Sequence, residues 1–401
     1  MNYCHLCVTP LPINQRGSDR PSLCKACHLS AQLKRVATPE FWNQRQQHFE
    51  SLISQYRSED GSNYDCIIPA SGGKDSYWQA YLMKYEYGMN PLLVTYHGNN
   101  YLPEGQGNLD RMREVLGIDH VVFGPGIDTL RRLNQFCFNK FGDVNWHARA
   151  GIQTIPVRTA VQFHVPLIVW GEIPANAQSM FADDDLIAYE RETLVQQCMQ
   201  GVSLQDLLDD GIESRDLTWL NLPTDASIKQ AGVRGIYIGR FFKWEQDEHA
   251  QLLQDKFRFE FARQPFERTY CTMSNLDDMH VNGVQDYLNF VKEGSGHASV
   301  QASKDIRAGN ITRNEAMQIV NRYDHVKPRR DLERWLDYVG MTELHFDQTA
   351  DTFRNPRVWW IENGQWWKLN MIGEPFAYGE VCYGPELDVS KYRRNDSHHA
   401  A

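Results

Sequence analysis

Six adjacent residues, Ser71-Gly72-Gly73-Lys74-Asp75-Ser76, have types and spacing suited to chemistry on a phosphate. They follow the apolar run Cys66-Ile67-Ile68-Pro69-Ala70 and precede a helix-like run from Tyr77 to Tyr87. A strand, a glycine turn and a helix start in that order make an anion cradle. The glycines let the main chain come close to a phosphate, and the free N–H groups of the first helical turn face the same point. Lys74 adds a cation, and Ser71 and Ser76 add hydroxyl donors. Asp75 has no use against bare phosphate, so it implies a bridging Mg²⁺. The ordinary P-loop is excluded, because it needs four residues between its first glycine and Gly-Lys-Ser/Thr.

A second constellation is Cys4-x-x-Cys7 with Cys24-x-x-Cys27, separated by 16 residues. This is the two-knuckle spacing of a structural zinc site. The loop between the pairs is rich in Pro, Gly, Asn and Asp, and a metal would order it. A closed four-thiolate site has no open position for catalysis. The expected work of the ion is to pin the N-terminus against the catalytic domain or to shape a substrate wall.

The elements that must position the loop follow from periodicity. Residues 38–60 read as a helix. Strand patterns at 64–70, 91–97, 119–123 and 166–170 alternate with helical patterns at 75–87, 106–117, 127–141 and 150–164. That alternation predicts an α/β fold, a parallel sheet with helices on both faces, which binds ligands at the carboxyl ends of its strands. Thr95, Tyr96 and His97, and Gly171 with Glu172, fall at strand ends and are expected beside the loop. Residues 184–210 and 245–262, and at least three segments within 276–340, read as helices that close over the sheet. Val358 to Trp367 reads as a hairpin around Asn363-Gly364. The expected domains are 1–37 (zinc module), 38–183 (nucleotide-binding α/β domain), 184–355 (mainly helical closure region) and 356–401 (aromatic tail).

Composition bounds the function. The chain has 401 residues, 42% of them hydrophobic, enough for a sizeable core. A net charge of -10 argues against a general nucleic-acid binder. No apolar run is long enough for a membrane span, and the N-terminus has no signal-like segment, so a cytoplasmic protein is expected. The nine cysteines then read as thiols or metal ligands, with Cys137 and Cys198 as buried thiols.

The Ser71 loop resembles the pyrophosphate loop of the ATP pyrophosphatase class, Ser-Gly-Gly-x-Asp-Ser, whose members split ATP between the α and β phosphates. With other motifs it resembles the N-acetyl sugar amidotransferases of surface-polysaccharide biosynthesis. The matching stretches include Cys4-His-Leu-Cys7, Phe141-Gly-Asp143, Gly151 to Arg158, Pro166 to Glu172, Leu276-Asp-Asp278, Gly309 to Glu315 and Tyr338-Val-Gly340. One departure is Val144-Asn-Trp-His-Ala-Arg149, which has no cysteine where that family carries a cysteine pair.

The resemblance implies that an acetamido group on a nucleotide-linked N-acetyl sugar is adenylated and converted to an acetamidino group. It implies ATP, Mg²⁺ at Asp75, structural Zn²⁺ at Cys4, Cys7, Cys24 and Cys27, and a separate glutamine amidotransferase that supplies ammonia. Ser71, Gly72, Gly73, Lys74 and Ser76 would hold the phosphates. Thr95, Tyr96, His97 and Gly171 would line the adenosine. Lys74, Asp75 and Glu172 are the candidate catalytic residues. Arg149 and Arg158 could meet a sugar diphosphate or could be surface arginines. Asp183-Asp184-Asp185 could bind a metal or cap a helix. Two rival readings are a tRNA thiolation enzyme and a non-catalytic ATP-binding scaffold.

Overall fold

The computed structural model describes residues 3–11, 23–171, 184–199, 201–208 and 211–394. After the first cysteine pair come α1 (Lys25–Val36) and α2 (Pro39–Ser54). Thr38 caps α2, its hydroxyl accepting from Phe41 N at 3.2 Å. Strands and helices then alternate: β1 (Cys66–Pro69), α3 (Lys74–Tyr81), β2 (Pro91–Tyr96), α4 (Pro103–Leu116), β3 (His120–Phe123), α5 (Ile127–Phe141), α6 (Trp146–Phe163) and β4 (Leu167–Trp170). Next are β5 (Ile187–Ala188), α7 (Arg191–Cys198), α8 (Asp225–Gln230), β6 (Arg234–Tyr237) and α9 (Gln246–Phe257). A helical stretch follows: α10 (Asp286–Glu293), α11 (His297–Ala308), α12 (Arg313–Tyr323), α13 (Arg329–Val339) and α14 (Glu343–Thr352). A small sheet ends the chain, β7 (Trp360–Glu362), β8 (Gln365–Leu369) and β9 (Pro375–Glu380).

The large sheet has the order β3-β2-β1-β4-β6-β5, and every neighbouring pair is parallel except β5 with β6. Strand alternation sends Cys66 and Ile68 to one face and Ile67 to the other. The first face packs Ile68, Leu93, Val169 and Ile236 under α2, α3, α4 and α9. The second packs Ile67, Leu92, Val94 and Ile168 under α5, α6 and α8. Both faces are therefore dry, and the apolar runs of β1, β2 and β4 are what such burial demands.

The expected helical region does not start at residue 184, because β5 and β6 lie beyond that point and extend the sheet. Arg234–Tyr237 escaped pattern reading because four residues that include a glycine carry little periodicity. In 184–210 the helix is shorter than expected, α7 alone plus a turn at Leu204–Leu207. The hairpin at Asn363-Gly364 is present, and β9 adds a third strand.

The N-terminal knuckle, expected to pin the N-terminus against the catalytic domain or to shape a substrate wall, rests on the helical stretch. Thr9 Oγ1 donates to Ser303 Oγ on α11 at 3.0 Å, and Arg313 Nε on α12 donates to Cys7 O at 3.3 Å. Val8 packs with Ala302, Ala316 and Val320. A Cys-rich turn has too little apolar surface for its own core, so it borrows the α11–α12 pair.

One buried guanidinium holds the helical stretch together. Arg268 is fully buried and donates from Nε to Asp286 Oδ2 at 2.8 Å and from Nη2 to Asp324 O at 2.7 Å. Its Nη1 donates to Val326 O. Asp286 in turn accepts from His297 N, and Asp324 accepts from Gly296 N and Ser299 N. The cation thus joins α10, the start of α11 and the end of α12. Arg268→Ala would leave Asp286 buried and unpaired, and should lower the unfolding free energy in urea by about 3–5 kcal/mol.

Candidate functional site

The strand order reverses between β1 and β4, the switch point at which sheets of this kind bind ligands. The Ser71 loop leaves β1 there. Gly72 has φ +74°, and a Cβ on it would lie 2.9 Å from the main chain of Leu109 on α4, so no other residue fits. Gly73 is extended and caps α3 with no side-chain hydrogen bond, which leaves the first-turn N–H groups without a side-chain acceptor. Ser71 Oγ accepts from Gly73 N at 3.3 Å, and Ser76 Oγ donates to Gly73 O at 3.0 Å. Lys74 is only 6% exposed, and its Nζ donates to Asp75 Oδ1 at 2.6 Å. Asp75 faces outward, its side chain 40% exposed. The cradle is thus formed from the six residues in the expected strand–turn–helix setting.

Across the switch point, Gly171 follows β4, and a Cβ there would meet Gln79 Nε2 at 2.5 Å. Trp78 stacks on His249 of α9 with centroids 3.9 Å apart and meets Trp244 edge-on at 5.1 Å. Burial pushes His249 down to about 4, with Asp75 opposing. Among the described residues, His249 Nδ1, Trp244 Nε1 and Gln79 Oε1 are buried with no hydrogen-bond partner. A buried polar atom without a partner calls for an explanation, and these three lie around α3, the helix that the Ser71 loop opens. His249 and Trp244 were not legible in the sequence, since they lie far along the chain from the loop, and Gln79 on α3 gives no sequence signal of its role.

The other expected residues divide. Thr95 is fully buried, its hydroxyl donating to Ala70 O at 2.5 Å and lying 2.7 Å from His120 Nε2. Tyr96 turns into the core, its ring seated over Gly151 and its hydroxyl 2.9 Å from His147 Nδ1. Neither side chain lines an adenosine; strand alternation sends them to opposite faces. His97 stands at the strand end, bonded to Gln106 Oε1 at 2.9 Å and stacked on Tyr101.

Arg149 sits at the start of α6, near the carboxyl edge, paired with Asp143. Arg158 lies about 13 Å farther along α6. It donates to Thr218 O at 2.9 Å and Asn221 O at 2.6 Å, so it serves a turn and not the cleft. Asp185 pairs with Arg45 at 2.8 Å and Arg240 at 3.5 Å, and Asp184 accepts from Leu186 N. Neither caps the start of α7, where Glu190 stands at the cap position. Glu172 and Asp183 lie outside the described residues.

A second polar cluster connects to the loop through α4. Gly105 and Leu109, about 6 Å apart on α4, touch Leu276 and Gly72 respectively. Leu276 opens the segment that carries Asp277, Asp278 and His280, and Met279 N donates to Asn100 O at 2.6 Å. The His280 and Tyr338 rings are tilted at 35° with centroids 5.4 Å apart, and Arg334 donates to Met279 O at 2.9 Å. His147 Nε2, His280 Nδ1 and the Tyr338 hydroxyl are buried without partners among the described residues. Burial pushes His147 down to about 4 and His280 to about 3, so both are neutral near pH 7. Burial pushes Asp278 up to about 7. A neutral base beside an acid that still holds its proton is an arrangement for proton transfer.

The four N-terminal cysteines are all buried, and their sulfurs lie within 4.8 Å of one another. Cys7 and Cys24 Sγ are 3.7 Å apart. This is too long for a disulfide and close to the edge of about 3.8 Å in a tetrahedron of Zn–S bonds. The cluster could bind zinc.

Residues 249–372 match the family described as "LPS biosynthesis protein WbpG-like, C-terminal domain". The match starts at His249, spans the Asp278 segment and the helical stretch, and stops short of the Ser71 loop. It supports a role in polysaccharide sugar biosynthesis and suggests an enzyme. No curated protein matches the chain. Among the described residues, no helix is long and apolar enough to cross a membrane.

A raised carboxyl binds its proton more tightly folded than unfolded, so Asp278 removes stability as pH rises from about 3.8 to about 7. Asp278→Asn keeps the acceptor for His280 N, 2.9 Å away, and deletes the buried charge. The variant should unfold at higher urea than the parent at about pH 8, by an amount on the order of a few kcal/mol. The gap should close below about pH 4. A lower midpoint at the higher pH would assign Asp278 to structure and not to a site.

Proposed function

We propose that this chain is an ATP-dependent ligase of surface-polysaccharide sugar biosynthesis. It adenylates the acetamido carbonyl of a nucleotide-linked N-acetyl sugar and replaces that oxygen with ammonia. The observation that supports this most is the Ser71–Ser76 cradle at the switch point, linked through α4 to the segment that carries Asp278. The lipopolysaccharide-biosynthesis match over residues 249–372 supports a place in polysaccharide sugar biosynthesis.

An acetamide is a poor electrophile, because ammonia cannot expel its oxygen as hydroxide near neutral pH. Attack of the carbonyl oxygen on the α phosphorus of ATP forms a C–O–P bond and releases pyrophosphate. Ammonia then adds to the imidate carbon, the C–O bond breaks, AMP leaves, and an acetamidino group remains. The first-turn N–H groups of α3, with Gly72 and Gly73, hold the β and γ phosphates. Lys74 turns from Asp75 to a phosphate oxygen, and Asp75 becomes free. Mg²⁺ held by Asp75 would screen the phosphate charge.

Beside the acceptor, neutral His147 takes the proton that ammonia sheds, and protonated Asp278 donates to the developing charge. Arg149 and Glu172 contact the sugar diphosphate or the ribose. Zinc at Cys4, Cys7, Cys24 and Cys27 orders the knuckle on α11 and α12. Ammonia comes from a separate glutamine amidotransferase in the cytoplasm.

Pyrophosphate release from ATP·Mg²⁺ should need both ammonium and an acetamido nucleotide sugar. Lys74→Ala should abolish it, and His147→Gln should lower kcat by about 10²–10⁴-fold with little change in KM for ATP. Release that ignores the sugar, or that survives Lys74→Ala, would overturn the reading. The purified chain should carry one zinc per molecule by elemental analysis. Cys24→Ser should lose that ion and lower the thermal midpoint.

A further inference from the structure

A separate cavity of about 240 Å³ opens where the C-terminal sheet meets α10, α12 and the N-terminal knuckle. Its walls include Tyr3, Phe290, Asp324, Phe376 and Tyr378, and Lys368 of β8 lies among them. Lys368 is 4% exposed. Its Nζ makes one hydrogen bond, to Leu369 O at 3.2 Å, and lies 4.6 Å from the centre of the Tyr378 ring and 5.7 Å from that of Phe290. An ammonium has three donors, so two lack an acceptor among the described residues.

The nearest acid does not complete them. The Asp324 carboxylate already accepts from Gly296 N at 2.9 Å, Ser299 N at 3.2 Å and Ser299 Oγ at 2.5 Å. The Tyr378 and Phe290 ring faces offset part of the buried charge, but they supply no carboxylate or water for the free N–H donors of Lys368. The side chain ends in a hollow with aromatic walls.

We propose that the cavity binds a small monocarboxylate carried on a single ring. The carboxylate takes the two free donors of Lys368, and the ring lies between Tyr378, Phe290 and the rim residue Phe376. A dianion such as phosphate fits worse, since Lys368 is the one lysine or arginine among the described residues of the wall and Asp324 lies close by. The cavity size admits one ring and no nucleotide. The site is distinct from the cradle at Ser71 and does not rest on the reaction proposed there.

The test is calorimetric titration of the full chain with benzoate and with glucuronate, beside benzyl alcohol and inorganic phosphate. At least one carboxylate should bind, and the two arms separate a flat apolar ring from a sugar ring. Benzyl alcohol and phosphate should bind at least about tenfold more weakly. Lys368→Met, an apolar replacement of similar length, should keep the thermal midpoint and weaken the carboxylate by at least about tenfold. Phe376 is 53% exposed, so Phe376→Ala leaves the core untouched, and it should also weaken binding. Absence of carboxylate binding, equal binding by phosphate, or full binding by Lys368→Met would each overturn the proposal.

Discussion

A parallel sheet buried on both faces has one outlet for polar chemistry, the edge where its strands end. Helices cover the first face with Phe49, Trp78 and Met112 and the second with Leu133, Ile155 and Ile228. No ligand can approach through those layers without disrupting packed apolar surface. The parallel arrangement places the ends of β1, β2, β4 and β6 on one side, and the order reverses between β1 and β4. The loop from Ser71, His97 at the end of β2 and the residue Gly171 converge there because of that single constraint. Gly72 is its sharpest expression, since α4 packs so close that a methyl group would overlap Leu109.

Around that edge the protein departs from ordinary rules of burial. Three histidines, His147, His249 and His280, are buried neutral with ring nitrogens unpaired among the described residues. Asp278 holds its proton near neutral pH because water is excluded from it. In the Arg268–Asp286–Asp324 network, by comparison, the guanidinium and both carboxylates are held by hydrogen bonds.

The helical stretch is a keystone as well as a cover. Trp335 of α13 donates to Asn134 of α5 at 3.2 Å, which ties it to the second face of the sheet. Arg354 lies between Trp359 and Trp366, and Asp351 accepts from Trp366 Nε1 at 2.8 Å, which ties it to the small sheet. The cysteine knuckle rests on α11 and α12. The expected separation into zinc module, sheet domain, closure region and tail therefore describes the order of the chain more than its packing. The tryptophans of the tail, three of them fully buried, serve these contacts.

The loop from Ser71 to Ser76 and the spacing of the four cysteines were legible because each is written in adjacent or closely spaced residues. Their geometry follows from local rules of glycine, helix start and thiolate pairing. The parallel sheet was legible too, since strand and helix periods alternate along 64–170. Tertiary structure alone decided which side of β2 faces the core, and so removed Thr95 and Tyr96 from the ligand surface. It alone brought His249 onto Trp78, set the Asp278 segment against Asn100, and left Lys368 in a hollow. Those contacts join residues far apart in the chain, and a long-range contact leaves no period or spacing to read. Only the folded packing determines whether a buried histidine or lysine finds a partner.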